Sequence, residues 1–502
     1  MNQPKAIFKS VLWNQVGKTL EYVFMYVTSV CAARALGVHE NGVYAGIVSF
    51  SQLLMVLSSA GLETSLNKHI PQLHGESQLE QTRFIVRRAL ALRILVFAIV
   101  AAILVAVNRL WTDVLPVNIS TYLWLLLAFT GIRSLIPLLA IVLTAQLQTA
   151  LTARLNLTAR LLELVLVIVV ASHGLTVDAL LMIFVGTGIG QLAAYLVFAS
   201  SNVRGGEQTT DIRPLLAFGA VFWVNTGVDY FLGRHGDILF LSLLLPEPSQ
   251  ASLYDVSYSV VQVGYLALTV GFGGVTFATF ARLAASSPEG MNRFYGFLVR
   301  LTSLLTIPLY AFLLFHGQSI VSLLYSKDFS AAVPLIQGMA VFRMCSRLFA
   351  GGENAEYVLS KGSVGPLVSI GIAAAAVNIS LDVLLIPRMG GWGAVVGNGF
   401  ANLLANALGA WLVYRFTRAK IQLGFWFQLS CGMTAASAVA HMICLMVAPD
   451  LIILRLGCFS VLAVLVLGLL RPLLPADVAW IRGVNESLGR VLLPFSRHDL
   501  GA

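Results

Sequence analysis

Long apolar runs separated by short polar connections repeat along almost the whole chain. Two examples are LVFAIVAAILVAV, which starts at Leu95, and IILRLGCFSVLAVLVLGLL, which starts at Ile452. A helix that spans a bilayer needs about 20 mainly apolar residues. Segments of about this length lie near residues 9–33, 42–66, 88–108, 120–145, 154–172, 176–200, 214–244, 251–282, 294–316, 331–359, 364–386, 392–415, 423–448 and 451–471.

These segments predict an all-α polytopic membrane protein with about 14 transmembrane helices. The composition agrees, because the 502 residues are 58% hydrophobic and only 11% charged, whereas soluble domains carry about 25% charged residues. The stretch DVAWIRGVNESLGRVLLPF, from Asp477, is amphipathic instead and is predicted to lie on the membrane surface.

Lysine and arginine residues fall mainly on one side of this predicted topology. With the N-terminus inside, nineteen lie in inner connections, and four lie in outer ones at Arg34, Arg109, Lys327 and Arg388. Because cytoplasmic loops carry the excess of basic residues, both termini are predicted to be cytoplasmic, in a multi-pass protein of the cytoplasmic (inner) membrane. The net charge of +9 is therefore interpreted as a topology signal, and no nucleic-acid partner is expected.

Two parts of the chain repeat each other at an offset of 210 residues. Tyr44 and Tyr254 each follow a short outer loop, and Arg133 and Arg343 share the same offset. Since this offset spans an even number of helices, both copies insert in the same orientation. The pattern predicts two pseudo-symmetric six-helix lobes and two C-terminal helices, with lobes over 1–210 and 211–420, the two further helices over 421–472 and a cytoplasmic amphipathic tail over 473–502.

Five basic residues lie close to mid-depth in predicted helices: Lys18, Arg133, Arg234, Arg343 and Arg347. Each would cost about 3 kcal/mol if it faced lipid, so each is expected to face a partner, water or a ligand. Internal pairing is one interpretation, because acidic residues follow some of these positions at helical spacing. Such pairs are Lys18 with Glu21, Arg160 with Glu163 and Arg234 with Asp237.

Phosphate binding is the other interpretation of the basic positions. Arg133 has no acidic residue within one turn of its own helix, and Arg343 and Arg347 form a basic stripe with a spacing of four residues. A guanidinium group can bind phosphate in a bidentate manner. Contact with a phosphate-bearing ligand and internal pairing therefore both stay open for these three arginines.

Polar residues also interrupt the predicted helices near the end of the second lobe. Asn378 and Asp382 share one helical face because they are four residues apart, and Asn398 lies on the next helix. Oxygen ligands of this kind suit a hard cation or a proton. The alternative for the asparagines is hydrogen bonding between helices, whereas the carboxylate of Asp382 favours an ion site.

Several stretches resemble the multidrug/oligosaccharidyl-lipid/polysaccharide (MOP) exporter superfamily over about residues 9–415. They are LGVHENGVYAGIVSFSQLLMVLSSAGLETSLNKHIPQL, GDILFLSLLLPEPSQASLYDVSYSV and NISLDVLLIPRMGGWGAVVGNGFA. Together with LLYSKDFSAAVPLIQGMAVF, they are similar to the polysaccharide-transport branch, which contains O-antigen and lipid-linked oligosaccharide flippases related to lipid II flippases.

The resemblance implies a flippase that moves polyprenyl-diphosphate-linked oligosaccharide, a precursor of cell-surface polysaccharide, across the cytoplasmic membrane by ion-coupled alternating access. It implies coupling to Na⁺ or H⁺ without another cofactor, and it implies that the last two helices help to hold the lipid tail. The implied partners are the lipid-linked substrate, membrane lipid and polysaccharide polymerase machinery, and the chain is expected to be a monomer.

The resemblance also assigns residues to these roles. It matches an ion-coupling set to Asp237, Asn378, Asp382 and Asn398, with Na⁺ at the first three, although a small hydroxyl residue is expected where Asn398 stands. It matches a basic residue of the first helix to Lys18. The candidate diphosphate contacts are therefore Lys18, Arg133, Arg234, Arg343 and Arg347.

Two other functions compete with this interpretation. A multidrug exporter of the same superfamily would carry organic cations, which favour a carboxylate in a less basic cavity. A membrane-embedded polymerase or transferase would need a sizeable extramembrane loop or a nucleophile with its base, but the longest predicted outer connection is about fourteen residues, around 317–330. The sequence contains no Walker A, HExxH or GxSxG motif, so the protein is not expected to be an enzyme.

Overall fold

The structure, a computed structural model, describes residues 3–75, 79–110, 116–146, 148–203, 211–269, 272–417, 423–447, 451–484, 486, 490 and 492–496. Nineteen α-helices and three short 3₁₀ segments account for most of these residues. Within this described part of the chain, β structure is limited to an isolated bridge between Leu473 and Ser496. The predicted all-α fold class is confirmed.

The helices follow one another with short connections. The first nine are α1 (Gln3–Ser59), α2 (Leu62–Gly75), α3 (Leu79–Leu110), α4 (Val117–Thr121), α5 (Leu123–Ala145), α6 (Thr149–Ala171), α7 (Val177–Val203), α8 (Arg213–Leu232) and α9 (Arg234–Leu244). The next ten are α10 (Ser249–Thr269), α11 (Phe272–Ser286), α12 (Pro288–Leu324), α13 (Ala332–Ser346), α14 (Gly352–Ser360), α15 (Val364–Met389), α16 (Gly391–Thr417), α17 (Leu423–Val447), α18 (Ile452–Leu470) and α19 (Pro475–Val484).

The predicted membrane segments correspond closely to these helices. Each falls, to within a residue at either end, inside one helix or a run of consecutive helical elements. Among the described residues, ten helical segments are long and apolar enough to cross a bilayer by length and composition. Other helices, such as α16, carry polar residues such as Asn398 and Asn402 within their apolar sequence. The polytopic character predicted from the sequence is therefore confirmed.

Two glycines allow sharp changes of direction near the start of the chain. At Gly37 the backbone has φ 75° and ψ 178°, so the first predicted segment and most of the second form one kinked helix, α1. Gly61 has φ 66°, and a Cβ atom there would lie only 1.9 Å from the carbonyl oxygen of Gly219. Glycine is the residue that adopts positive φ without a steric penalty, and at Gly61 it also permits the close approach of α8.

The chain divides into two compact units. The first comprises Met1–Asp255 with Asp382–Ala394, and the second comprises Val256–Leu381 with Val395–Ala502. In the first unit α1 packs against α6, and α5 packs against α7. In the second, α17 and α18 pack on α12 through buried residues that include Ile307, Met433 and Phe459. The predicted division into lobes after residue 210 stays a prediction.

Candidate functional site

Two carboxyl groups are hydrogen-bonded to each other in the interior of the first unit. Asp237, on α9, and Asp382, on α15, are both fully buried, and their side chains form a hydrogen bond. The buried Tyr254 hydroxyl also donates a hydrogen bond to Oδ2 of Asp237. Two carboxylates this close repel each other strongly. The pair must therefore hold a proton between its oxygens or share a bound cation.

The break between α8 and α9 places Asp237 at a helix N-terminus. Gly233 is extended, with φ −97° and ψ 173°, so α8 ends there and α9 begins at Arg234. Asp237 then lies in the first turn of α9, where the helix dipole favours a negative charge. Asp382 is in the interior of α15. The helix dipole and the Tyr254 hydrogen bond therefore both stabilise a negative charge on Asp237.

The donor atoms of this pair are chemically suited to a hard ion. The two carboxyl groups and the phenol of Tyr254 offer oxygen ligands alone, which is the type that hard cations prefer. The same oxygens could hold either a proton or a hard cation between them. Within the described residues, no cluster of three or more His, Cys, Asp or Glu side chains could hold a metal ion.

The two asparagines of the predicted ion site belong to the second unit. Asn378 is fully buried and lies one turn before Asp382 on α15. Asn398, on α16, is nearly buried, and its Oδ1 accepts a hydrogen bond from Nδ2 of Asn402 at 2.9 Å. The structure thus brings Asp237 and Asp382 together, while a joint role of all four residues stays a prediction.

Arg133 lies in a charged network of the first unit. Both Arg133 and Arg160 donate to the carboxylate of Glu163, which is 2% exposed; Arg160 does so at 2.8 Å. Thr187 donates to the same carboxylate at 3.2 Å, and Arg160 lies 3.8 Å from Glu21. The expected pairing of Arg160 with Glu163 is confirmed. For Arg133 this geometry favours internal pairing over contact with a ligand.

Arg347 is held by a second buried carboxylate, in the second unit. Its Nη1 and Nη2 atoms bind the two oxygens of Glu353 at 3.2 and 3.1 Å. Nη2 also donates to Oγ of Ser303 at 3.2 Å and to the carbonyl oxygen of Val299 at 3.3 Å. Because this is a bidentate ion pair between buried groups, the geometry favours internal pairing for Arg347 as well.

The other predicted diphosphate contacts have different surroundings. Arg343 is half-buried; its Nη2 donates to the hydroxyl of Tyr258 at 3.4 Å, and its guanidinium group lies 5.8 Å from the ring centre of that residue. Arg234 forms an ion pair with Asp255 at 3.2 Å, whereas the sequence suggested Asp237. Lys18 is exposed on α1. A phosphate contact by any of the five stays a prediction.

Comparison with known proteins places the chain in a family. A family model described as "Polysaccharide biosynthesis protein" matches residues 31–334, which is more than half of the chain. The chain belongs to the polysaccharide biosynthesis protein family. None of the curated proteins matches it.

Solved structures share the fold of this family member. The lipid II flippase MurJ, in an inward closed conformation, matches with a TM-score of 0.72 and 11% identity, over 91% of this chain and 98% of that chain. An inward-facing multidrug resistance MATE family transporter of the MOP superfamily matches with a TM-score of 0.66 and 13% identity, over 79% of this chain and 95% of that chain. A MOP superfamily transporter from Pyrococcus furiosus matches with a TM-score of 0.57 and 13% identity, over 82% of this chain and 96% of that chain. The resemblance to the MOP superfamily is confirmed at the level of the fold.

Sequence reasoning missed several partners that matter in this polysaccharide biosynthesis protein. The internal repeat identifies the position of Tyr254 but does not indicate that its hydroxyl donates to Asp237. Helical spacing pairs Glu163 with Arg160 alone, because Arg133 is thirty residues away along the chain. Asp255 lies twenty-one residues after Arg234, so helical spacing does not indicate this ion pair. The Tyr44–Tyr254 repeat was the one sequence signal that could have directed attention to Tyr254.

Proposed function

We propose that this protein is a flippase that moves polyprenyl-diphosphate-linked oligosaccharide across the cytoplasmic membrane, coupled to H⁺ or Na⁺ at Asp237 and Asp382. The family supports a role in making polysaccharide. The fold shared with a lipid II flippase supports a lipid-linked cargo. The observation that carries the coupling is the buried carboxyl pair, because intramembrane ionisable groups are costly and are usually functional.

The coupling follows from the charge of the pair. When a proton or Na⁺ lies between the two carboxyl groups, Asp237 and Asp382 attract each other through it. When the ion leaves, two negative charges face each other in a poorly hydrated interior, and the contact is destabilised. An ion can shift the balance between two conformations only by its different affinity for them. We propose that this difference drives the alternating access of the transporter.

Arg343 is the candidate for contact with the diphosphate. It is half-buried, and its guanidinium group lies 5.8 Å from the ring centre of Tyr258. A half-buried guanidinium group is partly open to its surroundings and can bind a phosphate group in a bidentate manner. Replacing Arg343 by Lys is expected to reduce flipping in part, since a point charge cannot reproduce a planar fork. Replacing it by Ala is expected to reduce flipping further.

Transport in proteoliposomes tests the coupling. A fluorescent polyprenyl-diphosphate-linked sugar is reconstituted with the full chain, and its appearance on the far leaflet is measured with a membrane-impermeant lectin at varied pH and Na⁺. Asp382→Asn should lose the dependence on the ion, because an amide cannot release a proton or bind a cation by charge. Asp178→Asn is the matched control, since Asp178 is exposed in the first turn of α7.

The outcomes separate the proposal from its alternative. Wild-type ion dependence in Asp382→Asn would exclude coupling at this pair. Failure of the wild-type protein to move the lipid-linked sugar, together with transport of a fluorescent organic cation, would favour the multidrug exporter.

A further inference from the structure

A cavity of about 750 Å³ lies within the second unit. This volume is in the range of small-molecule pockets, which is about 300–1,000 Å³. Residues of α12, α16, α17 and α19 contribute to its walls. The walls are rich in aromatic side chains, among them Phe294, Tyr295, Phe297, Tyr414, Phe425 and Trp426. The shape and lining therefore suit the apolar part of an amphiphile.

Three arginines give the cavity a basic part. Arg300 and Arg347 are each 7% exposed, and Arg293 is exposed; all three line the cavity. The two Nη atoms of Arg347 bind Glu353. Within the described residues its buried Nε has no hydrogen-bond partner. The guanidinium group of Arg347 therefore retains one N–H donor that its contacts with Glu353 do not use.

The carboxylate of Asp477, in the C-terminal tail, accepts two hydrogen bonds from the guanidinium group of Arg300. Nε and Nη2 of Arg300 donate to the two oxygens of Asp477 at 2.8 and 2.6 Å. Asp477 lies in the first turn of α19, is 3% exposed and also lines the cavity. The backbone N–H of Leu474 donates to its Oδ2 at 2.9 Å. The tail helix is thus fixed to α12 through the same guanidinium edge that an anion would use.

We propose that this cavity binds an amphiphile with a phosphate or diphosphate head, and that Asp477 is an internal competitor for the head at Arg300. Planar guanidinium groups bind phosphate and carboxylate with the same bidentate geometry. A phosphate that took the place of Asp477 would bind Arg300 in a cavity whose walls also carry Arg293 and Arg347. The apolar chain would lie against the aromatic walls.

Binding of the amphiphile to the cavity and docking of α19 through Asp477 then exclude each other. An amphiphile that enters the cavity releases the tail helix, and a docked tail helix weakens binding of the amphiphile. The charge distribution predicts that the connection before Arg293 and the tail lie on the cytoplasmic side, so the ligand would come from the inner leaflet. It is either a diphosphate-linked lipid or a resident anionic phospholipid, which offer the same head chemistry.

Direct binding to the full chain tests this site without any transport step. The purified protein in phosphatidylcholine nanodiscs is titrated with farnesyl diphosphate, and the affinity is measured by calorimetry. Asp477→Asn should strengthen binding about tenfold, because the competing charge is removed, and Arg300→Gln should weaken it about tenfold. Asp178→Asn and Arg388→Gln are the exposed control variants and should leave the affinity unchanged.

A double variant protects the test from misfolding. Arg300→Gln with Asp477→Asn replaces the ion pair by two neutral amides. This double variant should fold and should bind farnesyl diphosphate about tenfold more weakly than the wild type does. Unchanged affinity in this variant, or weaker binding in Asp477→Asn, would overturn the proposal. If phosphatidylglycerol in the nanodisc competes with farnesyl diphosphate, the ligand is a resident phospholipid. If phosphatidylglycerol does not compete, the ligand is the diphosphate-linked lipid. Because flipping is not measured, the site can fail while the proposed flippase function stands, and the reverse.

Discussion

Replacing Glu163 by Gln should destabilise the first unit more than most single substitutions do. The carboxylate of Glu163 is 2% exposed and accepts hydrogen bonds from Arg133, Arg160 and Thr187. Gln has nearly the same shape but no charge, and its amide nitrogen donates hydrogen bonds. The substitution would therefore leave two guanidinium groups without their common anion and would turn a donor toward them.

The size of the effect follows from burial. Arg133 and Arg160 are 11% and 22% exposed at the side chain, so water can compensate little of the lost charge. Removal of one partner from a buried ion pair costs about 3–5 kcal/mol. Domains of about 150–250 residues lose roughly 2–4 °C of melting temperature per kcal/mol. We therefore expect Glu163→Gln to lower the melting temperature by at least about 6 °C.

Thermal unfolding in detergent, followed by the loss of the monodisperse peak in size-exclusion chromatography, measures this shift. Glu80→Gln is the matched control, because Glu80 pairs with Arg83 at 2.6 Å while 47% of its side chain is exposed. Exposed pairs contribute about 0–1 kcal/mol, so the control should melt close to the wild type. Adding Arg133→Gln to Glu163→Gln should recover part of the loss. A melting temperature of Glu163→Gln equal to that of Glu80→Gln would refute the reasoning.

Three further predictions concern packing and ion pairs. Gly61→Ala should cost about 1–3 kcal/mol of stability through overpacking, because its Cβ atom would lie 1.9 Å from the carbonyl oxygen of Gly219. Gly174 also has a positive φ, but a Cβ atom there would have no atom within 4 Å. Gly174→Ala therefore measures the cost of backbone strain alone in the same melting assay. Arg347→Lys should lower the melting temperature, since an ammonium group cannot make the paired bonds to Glu353, and an unchanged value would show that the fork is not needed. A chain that ends after α16 should be recovered in lower monodisperse yield from membranes, because the α12 face that packs on α17 and α18 would be uncovered; wild-type yield would contradict this.

The sequence by itself determined the helices and much of their order. Hydropathy is a local property, so each apolar run could be assigned without knowing its neighbours, and within the described residues the predicted segments fall mainly in helices. The spacing of Asn378 and Asp382 also fixed their common helical face. Where a local signal was weak the boundary moved: the predicted break between the first two helices is a kink at Gly37 inside one helix.

Only the tertiary structure decided which charges meet. Arg133 binds Glu163 of another helix, and Arg234 binds Asp255 instead of the neighbouring Asp237. Asp237 meets Asp382, which is far away in the sequence. Helical spacing predicts partners three or four residues apart, but the partner of a buried charge is chosen by the packing of whole helices. A buried charge is too costly to leave alone, so the sequence could require a partner for each charge while the fold selected it.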